Sequence, residues 1–250
     1  MMETLERWAF DEVDLPETYP SGREGPMPQD TLAEAVHVDL GERAVDGDLR
    51  VADHATGLVI FAHGSGSSRF SARNRAVARV LEDAGFGTLL LDLLTPREEA
   101  LDERTREYRF DIALLGNRVI GAIDWVRTRA DLRALPLALF GASTGAAAAL
   151  IAAAGRPDHV SAVVSRGGRP DLADGALPEV QAPTLLIVGG RDEAVIEMNR
   201  DAMRRMQAHV EITIVPGATH LFEERGALEQ VARLAGDWCR QYLSSGRPGL

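Results

Sequence analysis

The sequence predicts an α/β domain with a mostly parallel, eight-stranded sheet and helices on both of its faces. Continuous apolar runs such as LVIFA and TLLIV are typical of strands that are buried on both sides. Helical stretches separate these runs, and strands that alternate with helices indicate a parallel sheet. The chain of 250 residues is long enough for one such domain.

The elements follow in chain order. EAVHVDL (34–40) alternates and predicts a first strand, and Asp46-Gly47 predicts a hairpin turn into a second strand at 49–53, at one edge of the sheet. The remaining strands are predicted at 57–64, 87–94, 135–142, 160–165, 184–190 and 211–217. The helices are predicted at 71–84, 111–130, 143–155, 194–207 and 225–243.

Three segments lie outside this regular pattern. Residues 1–30 are polar, contain four prolines, and predict an irregular N-terminal arm before a single domain at 31–250. Residues 95–110 are dense in charge, which favours a solvated loop with a helical turn over a mobile flap. The segment between the strands at 160–165 and 184–190 is short, so we expect no large cap domain.

Composition limits the function. A net charge of −11 argues against a nucleic-acid or anionic-membrane partner. The N-terminus lacks the apolar core of a secretory signal, and no apolar run reaches the length of a membrane span. The single cysteine, Cys239, suits a reducing compartment. We therefore expect a cytoplasmic protein that acts on a small molecule, and a homodimer stays open.

The sequence also argues against several cofactors. It contains no lysine, which excludes Schiff-base and pyridoxal phosphate chemistry and a P-loop that needs an amine from this chain. Its histidine, cysteine and acidic residues show no metal-ligand spacing. We expect neither a cofactor nor a metal.

Polar residues follow the predicted strands at the edge where ligands bind in such sheets. Ser143 follows one strand within Gly-Ala-Ser-Thr-Gly, Asp192 follows a later strand, and His220 follows the last. A serine hydroxyl needs an imidazole to take its proton, and the imidazole needs a carboxylate to orient it. We predict that Ser143 is a nucleophile, His220 its base and Asp192 the orienting acid.

Two backbone amides are predicted to stabilise the oxyanion of such a reaction. One is the amide of Thr144, at the start of the helix after Ser143. The other is the amide of Ser65, in the loop after the strand at 57–62. His63 belongs to this loop, and we expect it to brace the loop. The flanking Gly141 and Gly145 are expected where strand and helix come too close for side chains.

Other interpretations stay open. Ser143 can instead be a structural residue in a tight turn, and Asp92, also at a strand end, is the rival of Asp192 as the acid. Arginine suits the binding of a substrate carboxylate, but arginines also solubilise surface loops. The candidates for such binding are Arg69, Arg166 and Arg169.

The segments FAHGSG, FGASTG, VGGRDE and PGATHLF resemble the α/β-hydrolase superfamily, with the chain order Ser, Asp, His. Over residues 57–243 the chain is most similar to the small, capless enzymes related to dienelactone hydrolase. The resemblance implies an α/β-hydrolase fold and assigns nucleophile, acid and base to Ser143, Asp192 and His220. Typical dienelactone hydrolases carry Cys where this chain has Ser143.

The expected function is a serine hydrolase that cleaves a small carboxylic ester, lactone or thioester. Two alternatives remain at the level of the sequence. One is acyl transfer or perhydrolysis on the same three residues, and the other is a ligand-binding protein with this fold and no catalysis.

Overall fold

The computed structural model describes residues 31–41 and 43–243. The predicted arm, residues 1–30, lies outside the described residues. The strands are β1 (Thr31–Asp39), β2 (Ala44–Ala52), β3 (Leu58–Ala62), β4 (Gly87–Leu91), β5 (Leu137–Ala142), β6 (Val160–Arg166), β7 (Thr184–Gly189) and β8 (Val210–Val215). The helices are α1 (Ala72–Asp83), α2 (Pro96–Thr105), α3 (Ile112–Thr128), α4 (Thr144–Gly155), α5 (Glu193–Arg205) and α6 (Ala227–Leu243).

The strands form one sheet in the order β1-β2-β4-β3-β5-β6-β7-β8. β1 and β2 pair antiparallel at one edge, β2 pairs antiparallel with β4, and the other neighbours are parallel. The predicted eight-stranded, mostly parallel sheet with an antiparallel edge is confirmed. Parallel order places the carboxyl ends of β3 to β8 at one edge, where the predicted site residues follow their strands.

Helices cover both faces of the sheet, as predicted. Successive strand residues point to opposite faces of the sheet and belong to two separate hydrophobic cores. Ile60 packs in one core and its neighbour Phe61 in the other. One core includes residues of α3, α4 and α5, and the other includes residues of α1 and α6. No helix in the described part of the chain is long and apolar enough to cross a membrane.

The predicted hairpin turn at Asp46-Gly47 is wrong. Both residues lie inside β2, where Gly47 pairs with Val36 of β1. The chain turns earlier, where Leu40 N–H donates to Arg43 O over 2.8 Å and Gly41 adopts a φ of +94°. A Cβ on Gly47 would lie 3.0 Å from Leu89 Cδ1, so this glycine allows close packing within the sheet.

The charged segment 95–110 is also different from the prediction of a solvated loop. It contains α2, which begins with a capping box: Glu98 N–H donates to Thr95 Oγ1 over 3.3 Å, and Thr95 N–H donates to Glu98 Oε2 over 2.9 Å. Glu98 and Asp102 are only 4% and 3% exposed. Burial acts to raise the pKa of Glu98, but the Thr95 amide and the Arg118 guanidinium lower it below its ordinary value. Arginine partners therefore allow acidic residues to face inward here.

The connection between β6 and β7 is short, as predicted. It contains a 3₁₀ segment, Pro170–Glu179, whose Ala173 and Leu177 are part of the core beside α4 and α5. The described residues thus place no large cap domain at this point of the chain.

Candidate active site

Ser143 occupies a sharp turn between β5 and α4. Its φ of 50° and ψ of −121° lie in a region that non-glycine residues seldom adopt, which costs about 1–3 kcal/mol. The surrounding backbone holds it there: Ser143 N–H donates to Arg166 O over 3.2 Å, and Arg169 N–H donates to Ser143 O over 3.0 Å. The turn presents the hydroxyl at the carboxyl edge of the sheet.

The two glycines that flank Ser143 have a steric role. A Cβ on Gly145 would lie 2.3 Å from Ala62 O, and one on Gly141 would lie 2.4 Å from Ala146 Cα. Both contacts are with backbone atoms, which cannot rotate away. The close approach of strand and helix, expected from the sequence, therefore requires glycine at both positions.

Ser143, His220 and Asp192 form a continuous chain of hydrogen bonds. His220 Nε2 lies 3.3 Å from Ser143 Oγ, and His220 Nδ1 lies 2.7 Å from Asp192 Oδ2. An ionised carboxylate only accepts hydrogen bonds, so the proton of His220 resides on Nδ1. The lone pair of Nε2 then faces the Ser143 hydroxyl and can accept its proton.

Backbone hydrogen bonds join the loops that carry Asp192 and His220. Arg191 N–H donates to Ala218 O over 2.9 Å, and the carboxylate of Glu224 accepts Thr219 N–H over 3.0 Å. Partial burial acts to raise the pKa of Glu224, but the Thr219 amide lowers it below its ordinary value. Glu224 could not be found from the sequence, because nothing in its local pattern marks it as the acid that accepts Thr219 N–H beside His220.

The β3–α1 loop (residues 63–71) lies against Ser143. A Cβ on Gly64 would lie 3.1 Å from Ser143 Cβ. His63 Nε2 accepts Leu93 N–H over 3.1 Å, so Nδ1 carries the proton that is donated to Gly64 O over 2.8 Å. His63 thus braces the loop in the predicted manner.

The residues predicted to supply the oxyanion amides are in direct contact. Ser65 Oγ and Thr144 Oγ1 lie 2.8 Å apart. Thr144 is the first residue of α4, and the first N–H groups of a helix have no partner within the helix. The structure therefore brings Ser65 and Thr144 together next to Ser143.

Asp92, the rival acid, has a different partner. Its Oδ1 accepts Arg69 N–H over 2.7 Å, and its Oδ2 accepts a hydrogen bond from the Arg69 guanidinium. The same guanidinium lies 3.6 Å from Asp46 and 3.4 Å from Asp48. Of the two acids considered for His220, the structure brings Asp192 to it and pairs Asp92 with Arg69.

The candidate substrate arginines are held by other side chains. Arg69 contacts the three carboxylates just described, and Arg169 donates to both oxygens of Asp171 over 2.9 and 2.7 Å. Arg166 Nη2 donates to Asn74 Oδ1 over 3.5 Å. Arg166 and Arg169 are buried, which contradicts the alternative of solubilising surface residues. A role for any of the three in substrate binding stays a prediction.

Cys239 lies in the core on α6, as expected from the sequence. Burial raises the pKa of its thiol to about 12. Within residues 31–41 and 43–243, no group of three or more His, Cys, Asp or Glu side chains is arranged to hold a metal ion.

The sheet order, the strained turn after β5 and the site at the strand ends define an α/β hydrolase. The model of the dienelactone hydrolase family matches residues 49–242, and the chain belongs to this family. A crystal structure of dienelactone hydrolase from Anabaena variabilis ATCC 29413 is 57% identical, with a TM-score of 0.84, over 85% of this chain and 99% of that chain.

More distant structures share the fold. A dienelactone hydrolase-like promiscuous phosphotriesterase from metagenomic libraries is 18% identical, with a TM-score of 0.70, over 85% of this chain and 99% of that one. Est1E from Butyrivibrio proteoclasticus is 16% identical, also with a TM-score of 0.70, over 84% of this chain and 99% of that one.

Two curated proteins of Mycobacterium tuberculosis, from strains CDC 1551 and H37Rv, carry the provisional name phosphoribosyl transferase. Each is 56% identical over 215 residues, which is 86% of this chain and 48% of the relative. The chain thus spans about half the length of these curated relatives.

Proposed function

We propose that this hydrolase cleaves a small carboxylic ester, lactone or thioester through an acyl-enzyme on Ser143. The observation that carries the proposal is the hydrogen-bond chain from Ser143 Oγ through His220 to Asp192. A nucleophile within reach of a base, which is itself oriented by a third group, is the arrangement that acyl transfer requires.

Each residue has a defined role in the proposed reaction. Ser143 Oγ attacks the carbonyl carbon while its proton passes to His220 Nε2, and Asp192 stabilises the imidazolium that forms. The amides of Ser65 and Thr144 hold the oxyanion. His220 then protonates the leaving alcohol or thiol, and water releases the acyl group by the same route.

Acyl transfer and perhydrolysis use the same acyl-enzyme and differ only in the acceptor that reaches it. The name phosphoribosyl transferase applies to relatives about twice the length of this chain. We favour acyl chemistry at this site, because Ser143 lies within hydrogen-bond distance of His220, which Asp192 orients. We therefore propose hydrolysis as the first activity to test.

The test is a panel of p-nitrophenyl esters of increasing chain length, together with a simple lactone and an acyl thioester. We expect the fastest turnover with short acyl chains, since the connection between β6 and β7 is short. Ser143→Ala should lower kcat by roughly 10⁴–10⁶-fold. Ser161→Ala, near the opposite end of β6, is the matched control and should leave kcat unchanged. Equal rates for wild type and Ser143→Ala would refute the proposal, and faster turnover of long chains would refute the predicted size preference.

A further inference from the structure

The packing between the β3–α1 loop and α2 is incomplete. A cavity of about 90 Å³ separates the two, lined by residues of the loop together with Leu93, Leu94, Glu99, Asp102, Glu103, Arg109 and Leu115. A loop beside a cavity is not held in place by close packing. Hydrogen bonds therefore help to fix its position: one joins His63 to Leu93, and another crosses from Ser65 to Arg109 in the segment after α2.

Asp102 organises that segment. Its Oδ1 accepts the backbone N–H groups of Tyr108 and Arg109 over 2.7 and 2.9 Å. Its Oδ2 accepts Arg109 Nε over 2.6 Å, and its carbonyl accepts Arg106 N–H over 2.8 Å and Arg109 Nη2 over 3.1 Å. One buried residue thus folds the chain after α2 back on itself and fixes both the backbone and the side chain of Arg109.

Arg109 connects the segment after α2 to the β3–α1 loop. Ser65 Oγ donates to Arg109 O over 2.9 Å. A serine hydroxyl carries one proton, so the 2.8 Å contact between Ser65 and Thr144 is a hydrogen bond donated by Thr144 Oγ1. A directed chain therefore runs from Thr144 to Ser65 to the carbonyl of Arg109. It joins the two residues whose amides are assigned to the oxyanion.

We infer that Asp102, acting through Arg109, is a positioning residue for the oxyanion hole. The inference rests on the proposed function. Asp102 touches no reacting atom in this scheme, and its effect is to set where the Ser65 amide points relative to Ser143. A displaced oxyanion donor weakens the transition state more than the bound substrate, so the predicted effect falls on kcat.

The first experiment is Asp102→Asn, measured with a short-chain p-nitrophenyl ester. The amide keeps the shape of the carboxylate, but its NH₂ group cannot accept from Arg109 Nε. We expect kcat to fall by up to about 10²-fold, because a small misplacement of a catalytic group has effects of this size. KM should change little.

Glu98→Gln is the matched control. Glu98 is also a buried carboxylate of α2 with arginine partners, Arg43 and Arg118, and both arginines lie outside the β3–α1 loop that carries Ser65. This variant should lose stability and keep kcat. If Asp102→Asn and Glu98→Gln change kcat alike, Asp102 has only a structural role and the inference is wrong.

A second readout reports on the oxyanion itself. A thionoester develops a negative charge on sulfur, which is larger than oxygen and a weaker acceptor of hydrogen bonds. Correctly placed amides therefore favour the ester over its thionoester. We expect Asp102→Asn to reduce the ratio of kcat/KM for the ester to kcat/KM for the thionoester. A general loss of folded protein lowers both rates equally and leaves the ratio unchanged, which would contradict the inference.

A double-mutant cycle tests the route from Asp102 to Ser65. If Asp102 acts through the Ser65 hydroxyl, the variant with both Asp102→Asn and Ser65→Ala should be no slower than the slower single variant. Independent, multiplied losses would overturn the inference.

A second variant decides if Asp102→Asn does not fold. Arg109→Met removes the side-chain hydrogen bonds to Asp102 and should also lower the ester-to-thionoester ratio of kcat/KM. An unchanged ratio in Arg109→Met would refute the inference. Absence of Ser143-dependent turnover in wild type would refute the proposed function, and this inference with it.

Discussion

The two sides of Ser143 are built in different ways. On the side of β5 and α4, backbone atoms meet backbone atoms, and a Cβ on Gly145 would lie 2.3 Å from Ala62 O. On the side of the β3–α1 loop and α2, side-chain hydrogen bonds connect Asp102 and Arg109 to Ser65 across a cavity. Steric positioning fails abruptly when an atom is added, whereas polar positioning weakens by degrees when a hydrogen bond is lost.

After the loss of Ser143 itself, the largest expected effect comes from Asp192, the acid that orients His220. Asp192→Asn should lower kcat by about 10⁴-fold, because the amide no longer fixes the proton on His220 Nδ1 and Nε2 cannot serve as the base. Steady-state kinetics with a short ester measures the loss. A loss below tenfold would show that Asp192 does not orient His220.

Gly145→Ala tests the steric limit directly. The added methyl must displace Ala62 or the turn itself, and we expect kcat to fall by about 10²-fold or more, because a displacement near 1 Å has effects of that order. Gly175→Ala is the control, since a Cβ there has no atom within 4 Å. Thermal unfolding and kcat should both change in Gly145→Ala and stay near wild type in Gly175→Ala. Similar behaviour of the two variants would argue against the steric account.

Asp92→Asn tests whether the other strand-end acid is structural. We expect kcat to change little and the free energy of unfolding to fall by about 1–3 kcal/mol, as the hydrogen bonds to Arg69 weaken. Urea unfolding measures the second quantity. A fall in kcat as large as that of Asp192→Asn would restore Asp92 as the rival acid.

The smallest expected effect concerns Cys239. Burial raises the pKa of its thiol to about 12, so at pH 8 the thiol is protonated and shielded from reagents. Iodoacetamide should leave the activity of the folded protein unchanged and should alkylate Cys239 only after unfolding. Rapid inactivation accompanied by alkylation of Cys239 would contradict this.

The sterically built side could be predicted from the sequence. Buried strands leave continuous apolar runs, and Gly141, Ser143 and Gly145 form a local pattern whose geometry follows from close backbone approach. Asp192 and His220 could be found because parallel strands bring their carboxyl ends to one edge. Gly47 misled the interpretation, since a glycine that permits close packing within a strand resembles a turn residue in the sequence.

The polar side could not be predicted in the same way. The partners of Glu98 include Arg43, 55 residues earlier, and Arg118, 20 residues later. The charged segment 95–110 is therefore predicted from the sequence to be solvated, although two of its carboxylates are buried. The connection from Ser65 to Arg109 spans 44 residues, and no periodic or local signal records it. Such contacts depend on the folded arrangement of α2 against the loop.

The central claim is that Ser143 is the nucleophile, and a fluorophosphonate probe with mass spectrometry tests it most directly. The wild type should gain one label, located on the peptide that contains Ser143, and Ser143→Ala should gain none. Equal labelling of Ser143→Ala, or no labelling of the wild type, would contradict the claim.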